Sequence, residues 1–311
     1  MAHLAGLGHA LPDRVVSSSE LAARLGVTEE WILGACGIRE RRWVSTGETA
    51  ASLAERAATA ALLAAGLQPG LLGAIVVGTG SAPRAFPGIS ADLQRLLGAP
   101  GIPVFDVPLA SVGGLFALAL AVDLCPRTGP VLAAGAEEMS RVLLRTPLVK
   151  ETAILFGDGA GACVVAPGEG PIGVVDVLLG SDGTFAGALS LSAGGPLVMD
   201  GRTVILQASR KLPAVIRSVL EPQGLSPADV DLYVLHQANL NLLLSVARSL
   251  GIGEEKLFVN VDRIGNTSAA SVLVALSEAS EKGLLRPGSR VVLAAFGAGF
   301  SWGAALLRVA D

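Results

Sequence analysis

Short apolar runs rich in β-branched residues alternate along this chain with longer runs of helix formers, and the alternation predicts an α/β protein. The first half predicts a strand at Leu4–Leu11 and a helix from the cap residue Ser17 to a stop at Gly26. A second helix starts at Thr28, and an alanine-rich one spans Glu48–Gly66. Strand Ile75–Thr79, helix Ile89–Leu97, buried strand Val104–Val107, helix Leu115–Val122 and strand Val131–Gly135 follow. Ile154–Val165 reads as a strand pair around Gly157-Asp-Gly-Ala-Gly161, a tight turn rather than a phosphate loop because no helix opens after it.

The pattern then repeats. Ala65-Gly-Leu-Gln-Pro before Gly73-Ala-Ile-Val-Val matches Gln223-Gly-Leu-Ser-Pro before Asp231-Leu-Tyr-Val-Leu, and Val131-Leu-Ala-Ala matches Val292-Leu-Ala-Ala. Strands at Leu232–Leu235, Phe258–Val261 and from Val291 are the second-half counterparts. An offset of roughly 160 residues is too long for a solenoid and suits a duplicated α/β unit. The expected halves are residues 1–165, carrying a nucleophile, and 166–311, carrying its partners, with the site where strand ends from both meet.

Composition narrows the class. The 311 residues are 51% hydrophobic and 16% charged, with mean hydropathy +0.59, which excludes disorder. Of the uncharged runs, Ala57–Pro83 is broken by Gln68-Pro-Gly, while Val107–Val122 and Val291–Leu307 fall short of the ~20 residues of a span, so no membrane segment is expected. Met1–Val16 lacks a basic stretch followed by an apolar core, so no signal peptide is expected. A net charge of −4 leaves no footprint for nucleic acid. Three scattered cysteines, Cys36, Cys125 and Cys163, indicate neither disulfides nor a metal site, and a reducing cytoplasm is the expected compartment.

The candidate chemistry gathers at turns. Ser111 stands between strand Val104–Val107 and the helix from Leu115, beside Gly113 and Gly114, where free N–H groups and the positive helix end favour a nucleophile; a plain helix cap is the alternative. His236-Gln-Ala-Asn239, Arg263-Ile-Gly-Asn266-Thr-Ser-Ala-Ala-Ser271 and Phe296-Gly-Ala298-Gly-Phe-Ser-Trp-Gly303 follow second-half strands, and the repeat sets the Asn266 loop opposite Ser111. Near the start, Trp31 and the run Gly37-Ile-Arg39-Glu-Arg-Arg-Trp43 suit a nucleotide's base and phosphates, or else form a solvated turn over a packed Trp31.

Together with Ala85-Phe86-Pro87, Phe105-Asp-Val and Phe156-Gly-Asp-Gly-Ala-Gly, these motifs resemble the thiolase superfamily, and within it β-ketoacyl-(acyl carrier protein) synthase III, over nearly the whole chain. The resemblance implies duplicated βαβαβ halves in a layered αβαβα core and a nucleophile acylated by a thioester of CoA or acyl carrier protein. It further implies His236 and Asn266 as supporting catalytic residues, oxyanion donors at the N–H groups of Ser111 and Ala298, and substrate contacts at Trp31, Arg39, Lys150 and Phe296. A homodimer with Phe86 reaching the partner's pocket, and no cofactor or metal, complete the expectation. The chain departs from the family pattern at Ser111, which replaces cysteine, at Ala298 within a glycine run, at Ala35 and Lys150 for arginines, and at Asn241 for a basic residue.

Serine changes the chemistry. A helix N-terminus at ~0.3–2 kcal/mol nearly suffices to ionise a thiol at neutral pH but not an alcohol. Ser111 therefore needs a base, and His236 is the one available among the motif residues. An oxyester is less electrophilic than a thioester, so the favoured expectation is an acyltransferase of a specialised biosynthetic pathway that passes the acyl group from Ser111 to an alcohol or amine. Two alternatives stand beside it. One is decarboxylative condensation that starts fatty-acid or polyketide chains, including a cysteine enzyme with serine substituted to trap a complex; the other is a catalytically silent partner of a ketosynthase.

Overall fold

The computed structural model describes residues 1–145 and 147–311. Strand β1 (Ala2–Ala10) leads into an antiparallel pair, β2 (Val15–Ser17) with β3 (Glu40–Arg42), which brackets helices α1 (Ser18–Leu25) and α2 (Glu29–Cys36). Both helices begin on side-chain caps, Ser17 and Thr28, and end at left-handed Gly26 and Gly37. Helix α3 (Ala50–Ala64), β4 (Ala74–Gly78), α4 (Ile89–Leu97), β5 (Val104–Val107), α5 (Gly113–Thr128) and β6 (Val131–Glu137) alternate as predicted. Short helices α6 (Met139–Leu143) and α7 (Lys150–Ala153) precede β7 (Gly159–Pro167) and β8 (Ile172–Ser181). The pair β9 (Leu189–Leu191) and β10 (Leu197–Met199) introduces the long α8 (Gly201–Leu220). The chain closes with β11 (Leu232–Leu235), α9 (Leu240–Leu250), α10 (Val261–Ile264), α11 (Ser271–Glu281), β12 (Arg290–Gly297) and β13 (Ser301–Val309).

The main sheet runs β11-β12-β13-β8-β1-β7-β6-β4-β5. Outward from the β8–β1 seam, β7-β6-β4-β5 on one side mirrors β13-β12-β11 and a bridge from Tyr233 to Leu257 on the other. The seam pairs only Ala2–Leu4 with Ile172–Val174. On either side of it the two half-sheets enclose α5 and α11, each of which touches strands of both halves. Helices α3 and α4 cover the outer face of one half-sheet and α8 and α9 that of the other, giving the layered thiolase-like α/β fold.

Three local expectations need correction. Strand β5 is the sheet edge, with Phe105 and Asp106 exposed, and not a buried strand; a short apolar run reads the same in either position. Phe258–Val261 is no ladder strand: one bridge at Leu257 precedes a helical turn from Val261. Ile154–Val165 is not a strand pair: a single bridge from Phe156 to Asn266 precedes the one strand β7, and between them Asp158 turns inward and accepts N–H bonds from Val44 and Ser140, both at 2.8 Å.

Where the halves meet, main chain packs on main chain. A Cβ added to Gly135, or one added to Gly114, would stand 2.3 Å from the Ala269 carbonyl oxygen. Gly135→Ala should accordingly cost about 1–3 kcal/mol, as overpacking does. Gly34→Ala, on exposed α2 with open space around it, should add up to about 1 kcal/mol. Urea unfolding of the two variants should move the midpoint in opposite directions.

Candidate active site

Ser111 occupies the turn from β5 into α5 with φ +67°. A non-glycine residue holds that left-handed conformation at a cost of about 1–2 kcal/mol, which the packing around it must offset. Its hydroxyl does not cap the helix: the cap position is Val112, with no side-chain bond. A Cβ on Gly297 would lie 2.9 Å from the Ser111 Cβ, so glycine there is required by the Ser111 turn. The Ser111 N–H donates to Ser268 Oγ at 2.9 Å, and is therefore not free as the expected oxyanion donor. Ser268 itself has φ +47° and lies 157 residues on, close to the repeat offset, so the two half-chains present matching turns to each other.

His236 follows β11 and is buried. Its N–H donates to Ala294 O at 2.8 Å, and Gln237 fixes the loop by donating to Leu235 O and Phe258 O while accepting from the N–H groups of Asn260 and Val261. The His236 Nδ1 lies 2.7 Å from Ser271 Oγ, which also accepts the Gln237 N–H at 2.8 Å. Among the described residues the Ser271 hydroxyl has no other acceptor, so its hydrogen goes to Nδ1 and the ring proton sits on Nε2. Burial lowers the His236 pKa to about 4, which keeps the ring neutral.

Asn266 is held by its main chain, whose N–H donates to Leu155 O at 2.9 Å and whose carbonyl accepts from Gly157 N–H at 2.9 Å. Its Oδ1 accepts the Ser268 N–H at 2.8 Å, which leaves the Nδ2 hydrogens for the site. Ser111, His236, Asn266 and Phe296 line one narrow cleft of ≈ 80 Å³, walled further by Phe156, Met199, Val204 and Leu212. The chemistry it offers is an alcohol flanked by a neutral imidazole and a carboxamide among apolar walls.

The remaining predicted contacts lie outside this cleft. Trp31 is 41% exposed, with the Lys150 Nζ 5.5 Å from its ring centroid, so these two form a joint surface feature; Trp43 is the buried tryptophan. Arg39 is exposed. Ala298 borders a second, wider cavity of ≈ 570 Å³ together with Ala110, Thr79, Gly80 and the loop Ala82–Ala85. Phe86, next along that loop, is 86% exposed. Sequence reasoning did not single out Ser268, Ser271, Gln237 or Glu137. The first three sit inside the quoted motifs, where only the fold reveals what each side chain faces.

A duplicated α/β core with a serine turn, a histidine loop and an asparagine loop meeting at one cleft defines a thiolase-fold acyl-transferring enzyme. Residues 105–183 match the family model described as 3-oxoacyl-[acyl-carrier-protein (ACP)] synthase III, and residues 220–309 match its C-terminal counterpart. The chain is 42% identical to the beta-ketoacyl-[acyl-carrier-protein] synthase III of Chelativorans sp., over 97% of this chain and 98% of that protein. The 3-oxoacyl-[acyl-carrier-protein] synthase III of Aquifex aeolicus VF5 superposes with a TM-score of 0.95 at 35% identity, covering 99% of this chain and 100% of the other. The priming beta-ketosynthase of the R1128 polyketide biosynthetic pathway superposes with a TM-score of 0.93 at 33% identity, covering 100% and 97%. The chain belongs to the β-ketoacyl-ACP synthase III family. No helix among the described residues is long and apolar enough to cross a membrane.

The buried neutral His236 sets a pH dependence. With a folded pKa of about 4 and an unfolded value near 6.5, the unfolded chain binds the proton first as pH falls. Its contribution is complete above pH ~6.5 and is lost on acidification towards pH ~4, by up to about 3 kcal/mol at 1.36 kcal/mol per unit. Asp158, raised to about 6 by burial, has the opposite slope, so the measurement is the difference between wild type and His236→Gln in urea melts across this window. That difference should shrink as pH falls.

Proposed function

We propose that the enzyme loads an acyl group from a CoA or carrier-protein thioester onto Ser111 and then uses this acyl-enzyme in decarboxylative condensation with a malonyl thioester. What carries the reading is the Ser111–His236–Asn266 cleft, whose lining joins one hydroxyl with two N–H donors, His236 Nε2–H and Asn266 Nδ2–H. In the loading step the Ser111 Oγ–carbonyl bond forms, the carbon–sulfur bond breaks, and the serine proton ends on the leaving thiol. In the second step the malonyl carboxylate departs as carbon dioxide and leaves an enolate, which a donor pair suits. The enolate carbon bonds the acyl carbon, the Ser111 Oγ–acyl bond breaks, and Ser111 regains a proton from solvent.

These steps ask opposite tautomers of His236. As a base for Ser111 it needs Nε2 free and Nδ1–H directed at Ser271, which leaves the Ser271 hydrogen without an acceptor. A buried donor left unpaired costs about 1–3 kcal/mol, roughly 5–150-fold in population, so the base tautomer is the minor form and is still within reach. Transfer of the acyl group to an alcohol or amine is the second reading. The lower electrophilicity of an oxyester favours it, and it gives the donor pair no enolate to hold.

Ser111→Ala should abolish the acyl adduct seen by intact mass with the fold unchanged, since it deletes one small polar atom. His236→Ala should slow acylation on the order of 10²–10⁴-fold, the scale of a lost general base. Asn266→Ala should acylate nearly normally yet lose malonyl decarboxylation together with His236→Ala. An Asn266→Ala enzyme that decarboxylates normally would overturn condensation in favour of plain transfer.

The same reading includes a homodimer. Edge strand β5 has Phe105 45% exposed, and Phe86 stands out on its loop, an apolar pair suited to burial against a second copy. Sedimentation at micromolar concentration should give twice the 31.4 kDa chain mass, and Phe86→Asp should shift it toward the single chain.

A further inference from the structure

Glu137, the last residue of β6, is fully buried beside the nucleophile's turn, and the proposed chemistry makes no use of it. Its Oε1 accepts the N–H groups of Gly80 at 2.9 Å and Ala269 at 3.1 Å. Its Oε2 accepts the Ser81 hydroxyl and, at 3.3 Å, that of Thr79, and the Ser268 side chain faces the same carboxylate. Each of these three hydroxyl oxygens meanwhile accepts a main-chain N–H. Thr79 takes that of Ser81 at 3.2 Å, Ser81 that of Glu138 at 2.9 Å, and Ser268 that of Ser111 at 2.9 Å. With their oxygens so occupied, Thr79 and Ser81 direct their single hydrogens at Glu137, and Ser268 has the same carboxylate before it. The cluster has one polarity, and the carboxylate is its sink.

We propose that Glu137 is the positioning residue of the nucleophile turn. By taking the Ser268 hydrogen it aims the Ser268 oxygen at the Ser111 N–H. By taking the Ala269 N–H it holds the turn that also fixes Asn266, whose Oδ1 accepts the Ser268 N–H. One carboxylate thus sets Ser111 relative to Asn266, and ties both to Thr79–Ser81 at the root of the loop bearing Phe86. The effect on acylation rests on the Ser111 acyl-enzyme proposed above; the hydrogen-bond relay itself does not.

The test compares Glu137→Gln, which keeps the shape but presents an NH₂ donor where an acceptor is needed, with Glu137→Asp, which keeps the charge but not the length. Ser268→Ala and the Glu137→Gln/Ser268→Ala double variant complete the set. Two readouts are taken on the full chain: Ser111 acylation by acetyl-CoA and malonyl-CoA at saturation, and site-resolved amide hydrogen exchange at Ser111. Glu137→Gln should acylate roughly 10–100-fold more slowly, as a misplaced reacting group does, with little change in half-saturation. It should also speed Ser111 amide exchange by about tenfold or more, the loss of roughly one hydrogen bond. Ser268→Ala should match it, and the double variant should be no worse than either single one, because both act through one chain of bonds. Glu137→Asp should retain more of both properties than Glu137→Gln. A space-filling role predicts the reverse order, and that order, or wild-type exchange at Ser111 in Glu137→Gln, overturns the proposal. If wild-type Ser111 takes up no acyl group, the acyl-enzyme reading fails while the exchange measurement still decides the role of Glu137.

Discussion

The contact on which the rest of this structure depends is one of main chain against main chain. The carbonyl of Ala269 fits against Gly114 at the start of α5 and against Gly135 in β6, with no room for a side chain between. That approach brings the start of the first half's central helix onto the turn that opens the second half's. Ser111 and Ser268, both in left-handed backbone, then lie within one hydrogen bond of each other. Without these glycines the two halves would stand further apart, and Ser111 from one could not share a cleft with His236 and Asn266 from the other.

Within that frame the polar groups of the site are fixed from behind. Ser271 holds the histidine ring, Gln237 ties its loop to four main-chain groups, and Ser268 orients the asparagine amide. All are buried, so each bond forms in a dry setting where a missing partner is costly. The same dryness depresses the His236 pKa and makes the imidazole a neutral group that donates or accepts rather than a charge. A serine among such neutral partners gains little ionisation from its surroundings, so in the proposed loading step proton movement must accompany bond making.

Much of the fold was legible in the sequence because periodicity and caps act locally. The helices at Ser18–Leu25, Ala50–Ala64 and Gly113–Thr128, and the strands at Ala74–Gly78 and Val131–Glu137, fall where hydrophobic runs, Ser17 and the glycine stops put them. The repeat also foretold two matching turns. What failed to read correctly depended on neighbours distant in the chain. Val104–Val107 has the same residues whether at the edge or the centre of a sheet, and Asp158 becomes a buried acceptor only once Val44 and Ser140 arrive.

By itself, then, the sequence determined the α/β class, the duplicated halves and the strand-end motifs, and offered Ser111, His236 and Asn266 as candidates for the chemistry. Spacing, propensity and residue type suffice for these because each is settled within a few turns of chain. Only the tertiary structure decided that the three residues share one cleft, that the Ser111 N–H is already bonded to Ser268, and that Trp31 and Lys150 meet at the surface away from it. It alone placed Glu137 beside the Ser268–Ala269 turn that meets Ser111. Hydrogen-bond partners more than a hundred residues apart, such as Glu137 and Ala269, leave no periodic trace in sequence, since the bond is specified by where the folded backbone brings two groups and not by what precedes or follows them.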